Sequence, residues 1–350
     1  MDIAIATYTF LPEIGGVARN VSILAEAFAA AGHRVTVVTT APGPSDGFGH
    51  EVVRNPGPLR LWRLTRRADV LIHSNLSLKL VYPLLFMRRP FALRHHSESA
   101  FALSRRTLSK DALRRRVFDR ATHFVTSDFI GRKGGLADYV VTHPFANPRY
   151  VTPERVQPVG ERRGALFVGR LEAEKGLIFL LERWPNLREA LDAGTLTVVG
   201  DGALRGELER RIAAGEAGQV DYLGALPPAE TAAAMGRAAY VFVPSLWQEP
   251  FGAVALEALA MGALVIHSGR GGLMEATGTL GFAFDPDDEG SLDAALARAR
   301  AARDRQRAEP GERARYMAAV AEHVARFRPE IVAETILATM ASIRDAKTML

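Results

Sequence analysis

The chain contains no cysteine, and this absence excludes several kinds of site at once. Without thiols there is no disulfide framework, no thiolate zinc site and no cysteine nucleophile. Long apolar runs are also lacking: the longest, Ala253 to Ile266, is interrupted by Glu257 and Gly262 and is too short to span a bilayer. The opening residues MDIAIATYTF have no basic segment before their apolar ones, so we expect a first strand and not a signal peptide. These absences predict a soluble, cytoplasmic protein.

The 350-residue chain is long enough for two domains, and its charge is divided unevenly between its halves. Residues 1–160 contain 22 Lys and Arg against 12 Asp and Glu, whereas residues 161–350 contain 22 against 27. A basic first half indicates an acidic partner, such as an anionic membrane surface, an acidic acceptor or a nucleic acid. Because no nucleic-acid motif accompanies the basic residues, a nucleic-acid partner is not predicted.

One segment of the basic half, Ser104–Arg120, has Leu113, Val117 and Phe118 at helical spacing among several arginines. Two interpretations stay open. The segment is either a basic amphipathic helix that lies on an anionic membrane, or a helix whose apolar side faces the protein core and whose basic side faces solvent. The first interpretation predicts peripheral attachment to the inner face of the membrane.

Short apolar segments alternate with helical patterns along the whole chain, and prolines without periodicity interrupt them at 143–163. The predicted strands are 2–6, 35–40, 69–73, 91–95, 123–127 and 139–142, and then 165–168, 195–199, 220–223, 240–243, 264–267 and 282–284. Helices are predicted at 16–31, 75–87, 109–121, 290–308, 311–326 and 329–346. This alternation indicates α/β structure with two doubly wound, Rossmann-like domains, 1–150 and 151–328, and a final helix in 329–350.

The most informative stretch, Tyr240–Gly262, has the pattern strand, tight loop, helix. Proline suits the first turn of a helix, so the pattern predicts a helix from Pro250 to Met261. The first amides of such a helix have no partner within it and can bind an anion; here they belong to Phe251, Gly252 and Ala253.

Two carboxylates, Glu249 and Glu257, accompany this predicted helix. A lone carboxylate inside an apolar helix is costly unless hydrogen-bond donors surround it, and the hydroxyls of a sugar are such donors. Alternatively, Glu257 pairs with an arginine and Glu249 interacts with the helix dipole.

Three further motifs follow predicted strands. Gly15-Gly16 precedes the first helix, where it either approaches a phosphate or simply turns the chain. Arg170 and Lys175 lie five positions apart in a loop, where they either neutralise one anionic group or form surface ion pairs. His95 and His96 end a strand and are either functional or structural.

Several of these segments resemble one known family. PSLWQEPFGAVALEALAMGALVI resembles the Glu-x7-Glu signature of the retaining GT-B glycosyltransferases, which include glycogen-synthase-like and lipid-mannosylating enzymes. PEIGGVARN with GHRVTVVTT, PFALRHHSESA, VGRLEAEKG, VVGDGALRGEL, YLGALPP and the Gly271-Gly272-Leu273 loop resemble further segments of the same family. The resemblance therefore extends over nearly the whole chain.

The resemblance implies a role for each candidate residue. Arg170 and Lys175 would stabilise the departing diphosphate, and His96, with His95 as the alternative, would contact the sugar near the reaction centre. Glu249 would hold hydroxyls of the donor sugar, and Glu257 would hold those of the ribose. Donor contacts are also implied at Gly15, Gly16, Leu223, Gly224, Leu226, Phe251, Gly252 and Ala253.

The implied fold is GT-B, in which two Rossmann-like domains face each other across a cleft and the last helix, here from Pro329, crosses back to the first domain. The implied enzyme is a retaining hexosyltransferase that uses a nucleotide-diphosphate sugar and a saccharide, lipid-linked or small-molecule acceptor. No metal and no other cofactor is implied. Two alternatives stay open: a GT-B nucleotide-sugar epimerase, and a non-catalytic subunit that binds a nucleotide or a glycan.

Overall fold

The computed structural model describes residues 1–13, 15–97, 101, 110–146, 156 and 158–348. It divides the chain into two compact units. The first unit comprises Met1–Phe145 and Phe327–Leu350, and the second comprises Ala146–Arg326. The boundary predicted at residue 150 lies outside the described residues.

The first unit contains a parallel sheet in which helices connect successive strands. The described strands are β1 (Asp2–Thr7), β2 (Arg34–Thr39), β3 (Glu51–Arg54), β4 (Val70–Ser74), β5 (Ala92–His95), β6 (Thr122–Val125) and β7 (Val140–Val141). The helices are α1 (Gly16–Ala30), α2 (Pro58–Arg67), α3 (Leu78–Val81), α4 (Lys110–Phe118) and α5 (Asp128–Lys133). The spatial order β3-β2-β1-β4-β5-β6-β7 reverses direction between β1 and β4, and ligands of open α/β sheets bind at such switch points.

The second unit repeats this architecture with the spatial order β10-β9-β8-β11-β12-β13. Its described strands are β8 (Arg163–Val168), β9 (Leu196–Val199), β10 (Val220–Tyr222), β11 (Ala238–Val243), β12 (Leu264–His267) and β13 (Phe282–Ala283). Its helices are α6 (Leu177–Leu191), α7 (Arg205–Ala213), α8 (Pro228–Arg237), α9 (Ala253–Ala260), α10 (Leu273–Thr277), α11 (Glu289–Ala308) and α12 (Pro310–Ala325).

The last helix, α13 (Pro329–Thr348), belongs to the first unit although it follows the second in sequence. Val332, Ile336 and Met340 are buried in the same cluster as the α1 residues Leu24 and Phe28. The apolar side of α1 is therefore covered by the end of the chain.

Several predictions about individual elements were wrong or incomplete. The helix expected from Pro250 begins at Ala253, because Gly252 adopts a left-handed conformation (φ 100°) that ends the preceding loop. The helix predicted at 75–87 is instead the short α3 followed by a 3-10 turn at Tyr82–Leu85. The elements that were not predicted are strand β3 and helices α2, α5, α6, α7, α8 and α10. The apolar residues of α2 are interspersed with arginines, and its buried side chains are Leu61 and Thr65.

The basic segment Ser104–Arg120 is described only from Lys110 onward. In α4, Val117 is fully buried and Phe118 packs against the same cluster of core residues, whereas Leu113 is exposed. Arg120 donates hydrogen bonds to the carbonyl oxygens of Leu84 and Met87. The described part of the segment therefore has its main apolar contacts inside the protein. No helix in the described part of the chain is both long and apolar enough to cross a membrane.

Candidate active site

A lysine and a glutamate meet at the carboxyl ends of two neighbouring strands in the second sheet. Lys175 follows β8 and Glu249 follows β11, and these strands pair in parallel, so their loops emerge at the same edge. Lys175 Nζ donates to Glu249 Oε1 at 2.7 Å. Ser245 Oγ donates to the same oxygen at 2.6 Å. The two charged side chains are 19% and 10% exposed, so the pair is largely shielded from water.

A glycine allows the two loops to approach each other. Gly176, directly after Lys175, has a φ of 74°, and a β-carbon there would lie 2.0 Å from the carbonyl oxygen of Pro244. A hydrogen bond also joins the two loops, because the amide of Leu246 donates to the carbonyl oxygen of Glu174 at 2.8 Å. The position of Lys175 therefore depends on the absence of a side chain at its neighbour.

Glu249 is fixed by the glycine pair Gly271-Gly272 of the loop that follows β12. Glu249 and Gly271 form an isolated parallel bridge, and the Gly272 amide donates to the Glu249 carbonyl oxygen at 2.8 Å. Gly271 has a φ of 66°, a conformation that favours glycine. This loop was recognised from the sequence, and the structure places it directly against the second of the two charged residues.

The residues around the start of α9 lie next to this loop. A β-carbon on Gly252 would meet the Leu273 side chain at 2.5 Å, and one on Gly272 would lie 2.7 Å from the Phe251 α-carbon. Helix α9 begins at Ala253, so the unbonded amides of its first turn are those that follow Gly252. Phe251 is 2% exposed and precedes the helix, which corrects its predicted place in the first helical turn. Glu257, one turn farther along α9, is 5% exposed.

Arg170 differs from Lys175 in its surroundings. Its side chain is 63% exposed and forms an ion pair with Glu174, with Nη2 2.7 Å from Oε1. Arg170 and Lys175 thus each contact a different carboxylate. Arg170 forms the surface ion pair that was considered for it, whereas Lys175 pairs with the candidate residue Glu249. An exposed pair of this kind contributes little to stability and exchanges readily for another anion.

The predicted nucleotide-edging segment follows β10. Leu223 is 47% exposed, and Gly224 has a φ of 69° with open space at its β-carbon position. The carbonyl oxygen of Gly224 accepts a hydrogen bond from the Gly200 amide, and that of Leu226 accepts one from the Thr231 hydroxyl. The segment is therefore fixed through its backbone and leaves a large apolar side chain at the surface.

Sequence reasoning missed two side chains beside the charged pair, Ser245 and Trp247. The Lys175 ammonium lies 4.8 Å from the centroid of the Trp247 ring, within the range of a cation–π interaction. The indole nitrogen of Trp247 is buried and has no hydrogen-bond partner among the described residues. Both residues lie within the recognised motif, but a serine and a tryptophan in a loop carry no spacing signal of their own.

In the first unit, His96 lies just beyond the end of β5. Its Nε2 is 2.8 Å from Ser74 Oγ, and its backbone amide donates to Asn75 Oδ1 at 3.0 Å. Both partners lie at the end of β4, the neighbouring strand. Burial, together with the positive charge of Arg94, holds the pKa of His96 well below its usual value, so the ring is neutral at neutral pH.

His95 is directed elsewhere. Its ring stacks on His123 at a centroid distance of 5.2 Å and packs against Phe101 and Phe118. Burial lowers its pKa to about 3. The two histidines that the sequence could not distinguish thus have separate environments: an aromatic cluster for His95, and the ends of β4 and β5 for His96.

The Gly15-Gly16 turn begins α1 at the end of β1. Gly15 is extended (φ −178°), and no atom of the described residues beyond its chain neighbours lies within 4 Å of the β-carbon position of either glycine. The backbone conformation therefore does not require glycine at Gly15. What the two glycines provide is open space in front of the first amides of α1.

Arg54, which sequence reasoning missed, connects the loop after β1 to the loop after β2. Its guanidinium donates to four carbonyl oxygens, those of Leu11 (2.6 Å), Ala41 (3.0 Å), Pro42 (3.1 Å) and Pro44 (2.7 Å). A planar group with several donors can bridge loops in this way, whereas a lysine cannot.

An Asp-x-Asp spacing, the pattern that metal-dependent glycosyltransferases of the GT-A class use to hold a cation, occurs at Asp285 and Asp287. Both carboxylates face Arg270: its Nη2 pairs with Asp287 and lies 3.9 Å from Asp285 Oδ1. Arg270 Nη1 also donates to the carbonyl oxygen of Leu246 at 2.9 Å. In this structure the two aspartates therefore support an arginine that is bound to the loop after β11.

Comparison with known proteins agrees with this geometry. The family profile "Glycosyl transferases group 1" matches residues 162–301, which include the Lys175–Glu249 pair. Glycogen synthase from Mycobacterium tuberculosis is 28% identical over an alignment of 380 residues, which spans 87% of this chain and 90% of that protein. Residues 162–301 thus match the group 1 glycosyltransferases, and most of the chain is similar to one enzyme of this kind.

The chain is also similar to the phosphatidyl-myo-inositol mannosyltransferase of Mycobacterium leprae, with 34% identity over 178 residues, 49% of this chain and 44% of that protein. Among solved structures, Anabaena Alr3699/HepE in complex with UDP-glucose superposes with a TM-score of 0.69 at 20% identity, over 97% of this chain and 99% of that one. The predicted resemblance to this family and the GT-B fold class, with two parallel-sheet α/β domains and a C-terminal helix, are thus confirmed.

Proposed function

We propose that this protein is a glycosyltransferase that moves a sugar from a nucleotide-diphosphate sugar to an acceptor hydroxyl, with retention at the anomeric carbon and without a metal ion. The observation that carries the proposal is the contact between Lys175 and Glu249. The bond that breaks joins the donor sugar to the diphosphate. A cation that can bind the diphosphate therefore has to lie beside a carboxylate that can bind the sugar hydroxyls, and Lys175 and Glu249 are adjacent in this way.

The lysine and the arginine have complementary tasks in this proposal. Lys175 is held in place by Glu249 and by the Trp247 ring, so little reorganisation is needed when a diphosphate arrives. Arg170 is exposed and exchanges Glu174 for the diphosphate. Together they neutralise the negative charge that develops on the leaving group as the glycosidic bond breaks.

Glu249 acts on the sugar side of the bond. Among the described residues, both hydrogen-bond donors to its side chain, Lys175 and Ser245, reach Oε1. Oε2 is then available to accept hydrogen bonds from hydroxyls of the donor sugar. The buried carboxylate of Glu257 is assigned to the ribose hydroxyls in the same way, because a diol supplies two donors to one carboxylate.

Backbone groups complete the proposed donor site. The amides at Phe251, Gly252 and Ala253 face the diphosphate, with Ala253 at the start of α9. The segment containing Leu223, Gly224 and Leu226 edges the nucleotide base.

In the first unit, the candidate contacts are His96 and the Gly15-Gly16 turn. A neutral imidazole can accept a hydrogen bond from a sugar hydroxyl through one nitrogen. The other nitrogen, Nε2, contacts the Ser74 hydroxyl, which fixes the orientation of the ring. The open space at Gly15 and Gly16 allows a phosphate to approach the amides of α1.

The first donor to test is UDP-glucose, because Anabaena Alr3699/HepE, which shares the fold, was solved in complex with it. The acceptor is a saccharide, a lipid-linked sugar or a small molecule. A thermal-shift screen with UDP, GDP, ADP and TDP and their sugar conjugates, each with and without EDTA, identifies the nucleotide because a bound ligand raises the melting temperature by mass action. Stabilisation that disappears with EDTA would contradict the metal-free site.

Catalysis is tested with the donor so identified, first in water and then with acceptor mixtures. Lys175→Ala and Arg170→Ala should each lower kcat by about 100-fold or more, because charge on the leaving group is left uncompensated. Arg305→Ala, which removes an exposed cation of the second unit, is the matched control and should leave kcat unchanged. Proton NMR of the product reports the anomeric configuration, and an inverted product would overturn the proposed retention.

The same experiments separate the two rival functions. An epimerase would convert the donor sugar without any acceptor and without releasing nucleotide diphosphate. A binding subunit would be stabilised by the nucleotide but would show no turnover that Lys175→Ala can abolish.

A further inference from the structure

The first unit exposes large apolar side chains at one place. Leu59 and Phe86 are each 74% exposed, more than any other large hydrophobic residue that the structure describes. The Trp62 ring lies 6.4 Å from the Phe86 ring, and Leu59 is three residues before Trp62 on α2, where i and i+3 side chains are neighbours, so the three side chains form one patch. Exposed apolar groups of this size that cluster together mark interaction surfaces, whereas single ones do not.

The patch rests on two segments that are tied to each other. The Tyr82 hydroxyl donates to the carbonyl oxygen of Pro58 at 2.7 Å, at the start of α2. Arg89 Nη1 donates to the carbonyl oxygen of Arg66 at 3.0 Å, near the end of the same helix. The turn that carries Phe86 is therefore held along the length of α2, and the patch is a fixed surface.

Helical spacing separates two sides of α2. Leu61 and Thr65 are buried against the sheet. Leu59, Trp62, Arg63 and Arg66 follow the i, i+3, i+4, i+7 pattern, so they share the opposite side. The solvent side of this helix thus mixes apolar and cationic side chains, while its core side is already occupied.

The charge of this surface has one sign. Residues 55–68 and 78–90 contain seven Lys and Arg and no Asp or Glu. Arg60 pairs with Glu51, and Arg67 pairs with Asp2, both outside these segments. Arg63, Arg66 and Arg88 are exposed and form no ion pair within the described residues. Cations without counter-ions beside exposed aromatic rings fit a partner that is anionic and apolar at once.

We propose that the face formed by Leu59, Trp62, Arg63, Arg66, Phe86 and Arg88, here called the α2 face, docks the first unit on an anionic lipid surface. The arginines bind lipid phosphates, while leucine, phenylalanine and tryptophan enter the boundary between head groups and acyl chains. Tryptophan is suited to this depth because its ring is apolar and its N–H is polar. This inference does not depend on the identity of the donor or of the acceptor.

The α2 face replaces α4 as the place of membrane contact. In α4, the apolar residues Val117 and Phe118 pack into the protein. Helix α2 has apolar side chains on its core side and further apolar side chains on its solvent side. A membrane is favoured over an acidic protein because a purely electrostatic partner would not require Leu59 and Phe86 to be exposed.

The test is sedimentation of the full chain with vesicles of two compositions, phosphatidylcholine alone and equal parts of phosphatidylcholine and phosphatidylglycerol. We expect binding to the anionic vesicles that weakens with added salt, because salt screens the arginines. The triple variant Arg63→Glu/Arg66→Glu/Arg88→Glu should bind about 100-fold more weakly, since each cation near the surface contributes about a fivefold effect. The triple variant Arg237→Glu/Arg305→Glu/Arg307→Glu makes the same charge change at exposed sites of the second unit and should bind like the wild type.

The apolar contribution is tested separately. Leu59→Ser/Phe86→Ser should weaken binding to anionic vesicles by about tenfold or more and leave binding to soluble polyglutamate unchanged. Brominated lipids should quench tryptophan fluorescence in the wild type but not in Trp62→Phe, because Trp184 is fully buried and Trp247 lies in the second unit. All these substitutions are at exposed or half-exposed sites, and an unchanged melting temperature shows that the variants remain folded.

Three outcomes would overturn the proposal. The first is no binding of the wild type to anionic vesicles at low salt. The second is equal loss of binding in the two charge-reversal triples, which would indicate a general effect of net charge. The third is a Leu59→Ser/Phe86→Ser variant that binds vesicles like the wild type, which would assign the face to a soluble acidic partner.

Discussion

Gly271 lies against Glu249 so closely that a β-carbon at position 271 would stand 2.2 Å from the Glu249 carbonyl oxygen. No side-chain rotation relieves a contact with backbone. The loop after β12 therefore fixes the position of the carboxylate that is proposed to hold the donor sugar.

Gly271→Ala should lower kcat by about tenfold or more, because Glu249 must move away from Lys175 and Ser245. It should also lower the free energy of unfolding by about 1–3 kcal/mol, the usual cost of a left-handed alanine together with local strain. Steady-state kinetics and urea denaturation measure the two effects.

Gly194→Ala is the matched control for that substitution. Gly194 has a φ of 71°, close to that of Gly271, but open space at its β-carbon position. It should lose stability through backbone conformation alone and keep its kcat. Equal kcat values in both variants would show that the contact with Glu249 has no catalytic consequence.

Ser245→Ala should lower kcat by about tenfold or more and lower the free energy of unfolding by about 1.5–3 kcal/mol. The hydroxyl, 1% exposed, donates to the charged Glu249 carboxylate, and hydrogen bonds to charged groups are worth about 1.5–3 kcal/mol. Ser268→Ala is the comparison, because Ser268 Oγ is buried at the end of β12 without a partner in the described part of the chain. If both alanine variants behave alike, the bond to Glu249 does not position the carboxylate.

Arg54→Ala should raise the KM for the donor several-fold, because the loop after β1 leads to Gly15-Gly16 and loses its connection to the loop after β2. Arg54→Lys should not rescue the defect, since one ammonium cannot reach four carbonyl oxygens. Limited proteolysis should cut the loop after β1 faster in both variants.

Arg89→Ala provides the control for loss of such an arginine. Arg89 also donates to backbone carbonyl oxygens, including that of Arg66, but at the end of α2. It should leave the donor KM unchanged. A rise in KM of the same size in Arg89→Ala would mean that the first unit is destabilised as a whole and that Arg54 has no local role.

His73→Leu should make the protein less sensitive to acid. Burial lowers the pKa of His73 in the folded state to about 4, so the unfolded state takes up a proton first as the pH falls below 6.5. The contribution of His73 to the free energy of unfolding is therefore fully present above pH 6.5. It decreases by about 1.4 kcal/mol per pH unit between 6.5 and 4. Leucine does not titrate, and it also removes a buried Nε2 that has no partner among the described residues.

Urea denaturation at neutral pH and at about pH 5 measures this effect. The stability difference between His73→Leu and the wild type should shift in favour of the variant by about 2 kcal/mol between the two conditions. A constant difference would show that His73 is not responsible for the pH dependence.

The regular elements followed from local patterns in the sequence. Strands such as β1, β11 and β12 are continuous apolar runs, which is typical of parallel strands buried on both sides. Helix α13 begins at Pro329, where a proline was expected to start it. Elements with weak patterns were missed: β3 has only Val52 and Val53 at its centre, and α2 is mostly arginine and leucine.

The errors at the site have a common physical cause, which is contact between segments distant in sequence. Pro250 has the composition of a first helical residue, yet the bridge between Glu249 and Gly271 keeps the chain extended there, so the helix starts later. The partners of Ser245 and Arg54 likewise follow from how loops meet, and no local spacing encodes such a meeting. Charged residues within motifs were recognised because a family pattern fixed their places.

The return of α13 to the first unit has a consequence for the order of synthesis. The residues of the second unit, Ala146–Arg326, are contiguous, so all of them leave the ribosome before the first unit is complete. The apolar side of α1 therefore stays uncovered until Ile336 and Met340 have been synthesised and can pack against it. A nascent chain that stalls or is cleaved before Pro329 would therefore carry a finished second unit joined to an unfinished first one, with an exposed apolar helix surface that chaperones and proteases can recognise.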